Sequence, residues 1–373
     1  MDRPRTFKTV SGPGARRARG PVTTVPIREN AVSYSTKRKI FVFLLILAMF
    51  CYFAFNSYSS KSFLQIRNIS TLFQETSIWG IAAIGVTFVM IAGGMDLSTG
   101  AIIAFSTMLI VNCLYKFNLP VGVLIPVVVV AGGLIGYLNS VLITRLHLID
   151  FIVTLSTKGL ISGCALVIAI KQSGMVQNIY IDNKEFLGIF AHRFDGRYFH
   201  AVIPVFFFTA LVAHVILSRT PWGTYVYAVG SNANSAILSG ISLKRVKAMV
   251  YIFSGVCCSI TAMFLSARMR TAMPDMGLDM EMDIVAAVII GGTAFKGGSG
   301  DIIGTVMGMF FLQLLKNGIF KFHVAPAWQP IIIGGVIMVT VIFDETYKRV
   351  AARIQEQKYD AEASGRFNNP NAT

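Results

Sequence analysis

The sequence predicts an all-α integral membrane protein of about ten transmembrane helices, with broken or re-entrant segments, in two pseudo-symmetric halves. Three observations carry that expectation. The 373 residues are 54% hydrophobic and only 14% charged, with a mean hydropathy of +0.64, a composition suited to lipid rather than to a large water-soluble core. Apolar segments recur along the chain at lengths close to the roughly 20 residues that a helical span needs. Two glycine-rich stretches, Gly93-Gly94-Met95-Asp96-Leu97-Ser98-Thr99-Gly100 and Gly291-Gly292-Thr293-Ala294-Phe295-Lys296-Gly297-Gly298-Ser299-Gly300-Asp301, interrupt such segments. Irregular backbone at membrane depth is tolerated only where it is buried in protein or lines a cavity, and paired interruptions point to a transport route.

In chain order, residues 1–36 read as a basic cytoplasmic arm without fold. Ten basic residues, Arg3, Arg5, Lys8, Arg16, Arg17, Arg19, Arg28, Lys37, Arg38 and Lys39, precede the first apolar run, against Asp2 and Glu29. That excess orients the first helix and meets anionic lipid. The arm lacks interleaved aromatics, so no nucleic acid is expected as a partner. No cleavable signal is expected, because the first run is long enough to span and lies behind a long arm. The apolar segments fall at 39–58, 75–94, 98–115, 120–143, 149–170, 199–218, 247–267, 283–294, 301–319 and 327–343, which together with their loops make a transmembrane domain over 37–345. The eighth is too short to cross alone and ends in the second glycine stretch, so it reads as broken or re-entrant. Segments 2–3 and 8–9 carry the paired Gly-Gly motifs that suggest two related halves, chance similarity being the alternative.

Charge sets the expected orientation. The stretch from Arg219 to Lys247 holds Arg219, Lys244, Arg245 and Lys247 and no acid, and the tail 346–373 carries Lys348, Arg349, Arg353, Lys358 and Arg366. Both are placed in the cytoplasm, with both termini inside. The polar loop 171–198 and the acidic stretch with Asp275, Asp279, Glu281 and Asp283 fall outside. Those four like charges repel one another unless a partner or pocket offsets them, and they are expected to help seat a basic face of an external partner, a solvated acidic loop being the alternative.

Most catalytic classes find no footing. Cys51, Cys113, Cys164, Cys257 and Cys258 all lie in apolar runs and read as small buried hydrophobes. His147, His192, His200, His214 and His323 lack metal-site spacing. No cofactor is expected. The stretch from Gly292 to Ser299 nearly spells a phosphate loop, but Gly298 stands where the lysine belongs, so ATP hydrolysis, where transport requires it, is expected on a separate subunit.

Asp96 admits two readings. It caps the helix starting near Leu97, or it contacts a translocating solute as intramembrane carboxylates often do. Gly93, Gly94, Asp96, Ser98 and Gly100 of one half, with Gly291, Gly292, Gly297 and Gly298 of the other, are the candidate pathway or broken-helix residues. The cytoplasmic stretch 220–242 is aromatic and small-residue-rich rather than linker-like, and suits a helix that docks in a partner's groove; a helix lying on lipid headgroups is the alternative. Gly230, Asn232, Ser239, Gly240 and Ile241 are its candidate coupling residues.

These motifs resemble a family. Gly93-Gly94-Met95-Asp96-Leu97-Ser98 is similar to the Gly-Gly-Ile-Asp-Leu-Ser signature of monosaccharide ABC-importer permeases of the ribose, xylose and galactose type. Tyr227-Ala228-Val229-Gly230-Ser231-Asn232 with Ser239-Gly240-Ile241 resembles their cytoplasmic Ala-x-Gly-x-Asn…Ser-Gly-Ile segment, and Ala286 to Thr293 with Gly297 to Gly300 resembles their second glycine segment. The likeness runs in order over 40–345. Met95, Ala294 and Lys296 depart from the pattern, and the arm 1–36 matches nothing in it. The resemblance implies a bacterial inner-membrane subunit that is not a catalyst, partnered by ABC ATPases, a periplasmic sugar-binding protein and a second permease copy or paralogue. An ion-coupled secondary transporter is the alternative, with Asp96 as the main candidate for coupling. Pentose, hexose and polyol cargoes all stay open.

Overall fold

The computed structural model describes residues 27–56, 60–169 and 178–322, with scattered positions between 325 and 346. The helices are α1 (Ile27–Phe55), α2 (Ser60–Phe63), α3 (Ile66–Ile91), α4 (Thr99–Tyr115), α5 (Val121–Arg145) and α6 (Asp150–Ala169). After strand β1 (Ile179–Tyr180) come α7 (Lys184–Phe190), α8 (Val202–Arg219), α9 (Pro221–Ser231), α10 (Ala233–Leu238) and α11 (Leu243–Met269). Strand β2 (Thr271–Ala272) pairs antiparallel with β1, and α12 (Met280–Ile290) and α13 (Ile302–Lys321) follow.

Among the described residues seven helices are long and apolar enough to cross a membrane: α1 from Arg38, α3, α5, α6, α8, α11 and α13. The expected all-α membrane fold is therefore present, without the full count of ten. One expected span, α4, is instead a short helix, and α12 is short, as expected of the eighth segment. The 17 residues of α4 and the 11 of α12 rise about 25 Å and about 16 Å at 1.5 Å per residue, less than a hydrocarbon core of about 30 Å. The tenth expected segment lies among the scattered positions. Most of the basic arm and nearly all of the tail lie outside the described residues, although α1 takes in residues 27–36 of the arm.

The core is an α3–α11 pair. Trp79, Ile84, Phe88 and Ile91 of α3 are buried with Val250, Tyr251, Cys257 and Cys258 of α11. With apolar lipid outside, close packing rather than water exclusion joins such helices, so small residues mark the contact. Gly132 and Gly136 of α5 lie against Gly255 and the Tyr251 carbonyl of α11, leaving no room for a β-carbon at either glycine. The outer helices keep apolar faces exposed, as at Val130 and Leu134 of α5 and Phe208 and Leu211 of α8.

Helix α3 begins nine residues earlier than the apolar run from Glu75 predicts. Its polar first turns are paired by the fold: Asn68 exchanges hydrogen bonds with Asn317 of α13 (2.9 and 3.0 Å), and Glu75 forms an ion pair with Arg268 of α11. Local capping sets the other ends. Thr220 Oγ1 accepts from the Gly223 N–H at the start of α9, with Pro221 at the first helical position, and Asp301 Oδ1 accepts from the Gly304 N–H (2.9 Å) at the start of α13.

Candidate functional site

The first glycine stretch ends α3 and begins α4. Gly93 has φ +71°, a left-handed conformation that favours glycine, and reverses the chain after Ile91. Asp96 then enters the core with no exposed surface. Its Oδ1 accepts from the Ser98 N–H (3.0 Å) and the Ser98 hydroxyl (2.6 Å), and its Oδ2 accepts from the Ser254 hydroxyl of α11 (3.0 Å). Asn139 of α5 donates to Ser98 Oγ (2.9 Å), which closes a polar network between three helices. The cap residue of α4 is Ser98, and its side chain makes no capping bond. Asp96 thus braces the cap from two residues upstream.

The second stretch behaves similarly at the end of α12. Gly292, Gly297, Gly298 and Gly300 all have positive φ, and the loop closes on itself through the Ala294 N–H to the Ser299 carbonyl (2.9 Å). Gly291 is placed differently: it packs on the backbone of Gly304 and so fixes α12 against α13. Gly100 is also separate. It sits at the first turn of α4 beneath the Glu281 carboxylate and the Gly277 carbonyl, so the N-termini of α4 and α12 meet there.

The two stretches touch, and α9 joins them. The Gly298 N–H donates to the Ile91 carbonyl (2.8 Å). A β-carbon on Gly297 would lie 2.6 Å from Gly93 Cα, and one on Gly230 of α9 would overlap the Ile91 carbonyl oxygen and lie 2.7 Å from the Gly298 nitrogen. Tyr227 of α9 donates to the Gly300 carbonyl (2.7 Å). Burial and then the negative Asp301 push the Tyr227 phenol up to about 12.

Four of the coupling candidates shape α10 rather than this junction. Asn232 Oδ1 caps α10 by accepting from the Ser235 N–H (3.0 Å). Ser239 ends it, Gly240 turns the chain at φ +81°, and the Ile241 N–H returns to the Ala236 carbonyl (3.0 Å). Ile237 and Leu238 are left exposed.

The acidic stretch 275–283 differs from the expected self-repelling cluster. Asp279 and Glu281 pair with Lys158 of α6, and Asp283 pairs with Lys316 of α13 (2.5 Å). Cations within the chain therefore offset three of the four acids. Among the described residues no group of His, Cys, Asp and Glu is arranged to hold a metal ion.

Comparison with known proteins agrees with this architecture. Residues 68–341 match the family described as branched-chain amino acid transport system / permease component. The chain is 34% identical over 309 residues to the ribose import permease protein of Bacillus subtilis, covering 80% of this chain and 91% of the relative. It is 32% identical over 306 residues to the D-allose transport system permease protein of Escherichia coli, covering 82% and 90%. The chain belongs to this permease family. No solved structure matches it. The permease is a multi-pass protein of the bacterial inner membrane, and in such systems ATP hydrolysis resides on separate subunits.

Several residues of the permease site escaped sequence reasoning. Asp150 at the start of α6 pairs with Lys247 of α11 and accepts from the Tyr251 hydroxyl (3.0 Å), and Tyr251 and Thr154 both reach the Met95 carbonyl (3.2 Å each). Lys247 and Tyr251 stand four residues apart on one helical face, the signal that was available. A cavity of about 400 Å³ opens beside them, lined by Gly93, Asp150, Asn232, Lys247 and Lys296 among others. The departing residue Lys296 thus faces open volume rather than the packed core.

Proposed function

We propose that this chain forms the translocation pathway of a binding-protein-dependent ABC importer for a monosaccharide or related small polar solute. One observation carries the reading furthest. Gly230 of α9 sits backbone against backbone between Ile91 and Gly298, so a force on α9 acts on both broken-helix stretches at once. Side chains would cushion such a contact, and glycine removes them. In this reading α9 and α10 face the cytoplasm and dock the ATPase. Both termini are cytoplasmic, as the Lys and Arg excess of 219–247 and of the tail supports. A second permease, identical or paralogous, and lipid cover the exposed apolar faces of α5, α6 and α8. A periplasmic binding protein delivers the solute to the opposite face.

The relatives import ribose, allose, fructose and galactose, which sets the cargo to test. The permease is reconstituted in proteoliposomes with its ATPase and binding protein, and uptake of those four labelled sugars is followed. ATP-dependent accumulation of at least one, insensitive to a protonophore at constant ATP, is expected. Uptake that needs no ATP and collapses under the protonophore would overturn the reading.

A further inference from the structure

We infer that Lys158, Asp279 and Glu281 form a solute-contacting station inside the route, which hydrogen-bonds an uncharged polyhydroxylated cargo. The inference rests on the importer reading above. Its first support is depth. Lys158 lies eight residues beyond Asp150 on α6, which is about 12 Å along a helix of 20 residues. Its two carboxylate partners open α12, whose first turn meets the first turn of α4 at Gly100. Two helices too short to span therefore begin at one level, and the charges sit where they begin.

The second support is exposure. The side chains of Lys158 and Asp279 keep 23% and 92% of their surface exposed. Ionised groups facing hydrocarbon are expensive, so such groups at membrane depth face a water-filled cavity or another protein. On this chain that places the Lys158 face of α6 toward the route.

Geometry at the two acids is the third support. Asp279 is the cap residue of α12, yet its side chain makes no capping bond. It holds a left-handed backbone (φ +67°), and its carboxylate reaches Lys158 (3.0 Å). Glu281 is 1% exposed. Its Oε1 accepts from Lys158, while its Oε2 has no hydrogen-bond partner and lies over Gly100 at the positive end of α4. The hydroxyl of Thr99, beside Gly100, is likewise without a partner. A buried carboxylate oxygen left unpaired is costly, and a donor brought by the cargo relieves that cost.

The chemistry selects the ligand class. An ammonium offers only donors and carboxylates only acceptors, and a hydroxyl answers both. One cation against two carboxylates leaves a net negative station, which disfavours anionic solutes.

The test uses the reconstituted complex, with the five native cysteines replaced and a single cysteine introduced as Lys158→Cys or Asp279→Cys. A membrane-impermeant methanethiosulfonate is expected to modify both positions in at least one nucleotide state. A saturating concentration of whichever of ribose, allose, fructose or galactose is transported is expected to slow that modification about fivefold or more, as occupancy of the site excludes the reagent. In parallel, Lys158→Met is expected to raise the KM for that sugar about tenfold and reorder the four sugars, with Lys158→Arg restoring part of the affinity. Absence of modification in every state, or modification indifferent to the sugar in a complex that transports it, would overturn the station alone. A fall in membrane protein level with KM and ranking unchanged would also overturn it. Absence of ATP-dependent uptake by the unaltered complex would instead defeat the importer reading and the station with it.

Discussion

The backbone N–H of Gly298 donates to the carbonyl of Ile91 over 2.8 Å, across 207 positions of sequence, and joins the two glycine-rich stretches. Ile91 closes α3, and Gly298 lies between α12 and α13. Gly230 fills the space beside that bond. The two interruptions are therefore one mechanical joint with a third element wedged into it.

Gly230→Ala is the smallest change that probes the joint. Its methyl group would overlap the Ile91 carbonyl oxygen, so α9 must move away. Overpacking of this kind costs about 1–3 kcal/mol, and the expected result is an uptake rate down about tenfold while ATP hydrolysis by the complex continues. The ratio of sugar moved to ATP hydrolysed, measured in proteoliposomes, checks it. An unchanged ratio would show that α9 does not transmit force through this contact.

Leu238 ends α10 with 89% of its surface exposed, and Ile237 beside it is 51% exposed. In the proposed reading this exposed apolar pair seats α10 in a groove of the ATPase. A cysteine at Leu238, in a background without other cysteines, is expected to form a crosslink to the ATPase in the assembled complex. Labelling by lipid-soluble reagents alone would assign α10 to the membrane surface.

Asp96 accepts three hydrogen bonds, two from Ser98 and one from Ser254. Asp96→Asn keeps one acceptor oxygen on the same framework, and the Ser254 hydroxyl is able to turn and accept from the new amide. Uptake within about threefold of the original, still ATP-dependent, is expected, because a neutral hydrogen bond replaces a charged one at modest cost. Asp96→Ala leaves three buried donors without that partner and should lower the thermal midpoint of the purified protein and most of its uptake. Loss of all accumulation in a well-folded Asp96→Asn protein would give Asp96 a coupling role instead.

His200 precedes α8 and is 8% exposed. Burial pushes its imidazole below the ordinary value of about 6.5, and the charges of Arg193 and then Arg268 push it the same way. The folded state therefore binds its proton later than the unfolded state does. Stability from this group is intact above the unfolded value and falls as pH drops through it toward the folded one. Thermal midpoints measured from pH 7.5 to pH 5.5 should decline, and His200→Gln should flatten that decline. An identical slope in the variant would remove His200 from the account.

Composition and hydropathy by themselves determined that this chain is a helical membrane protein, because lipid permits few alternatives to helices with internally paired backbones. The glycine stretches and the short eighth segment were legible as breaks for the same local reason, since glycine and clustered polar groups do not suit a plain spanning helix. That 221–238 is helical rather than a linker was legible from its aromatic and small residues. What each break touches was not. Helical periodicity reports which face is apolar, and it is silent on the partner placed there. Only the tertiary structure brought Gly93, Gly230, Gly297 and Gly298 to one point, assigned Gly291 to α13 instead, and seated Asp96 between Ser98 and Ser254. The charges show the difference most clearly. As a string, Asp279, Glu281 and Asp283 read as mutual repulsion, because their cations Lys158 and Lys316 lie more than 30 positions away. Folding decides which charges are neighbours, and pair energies fall with distance in space, whatever their separation along the chain.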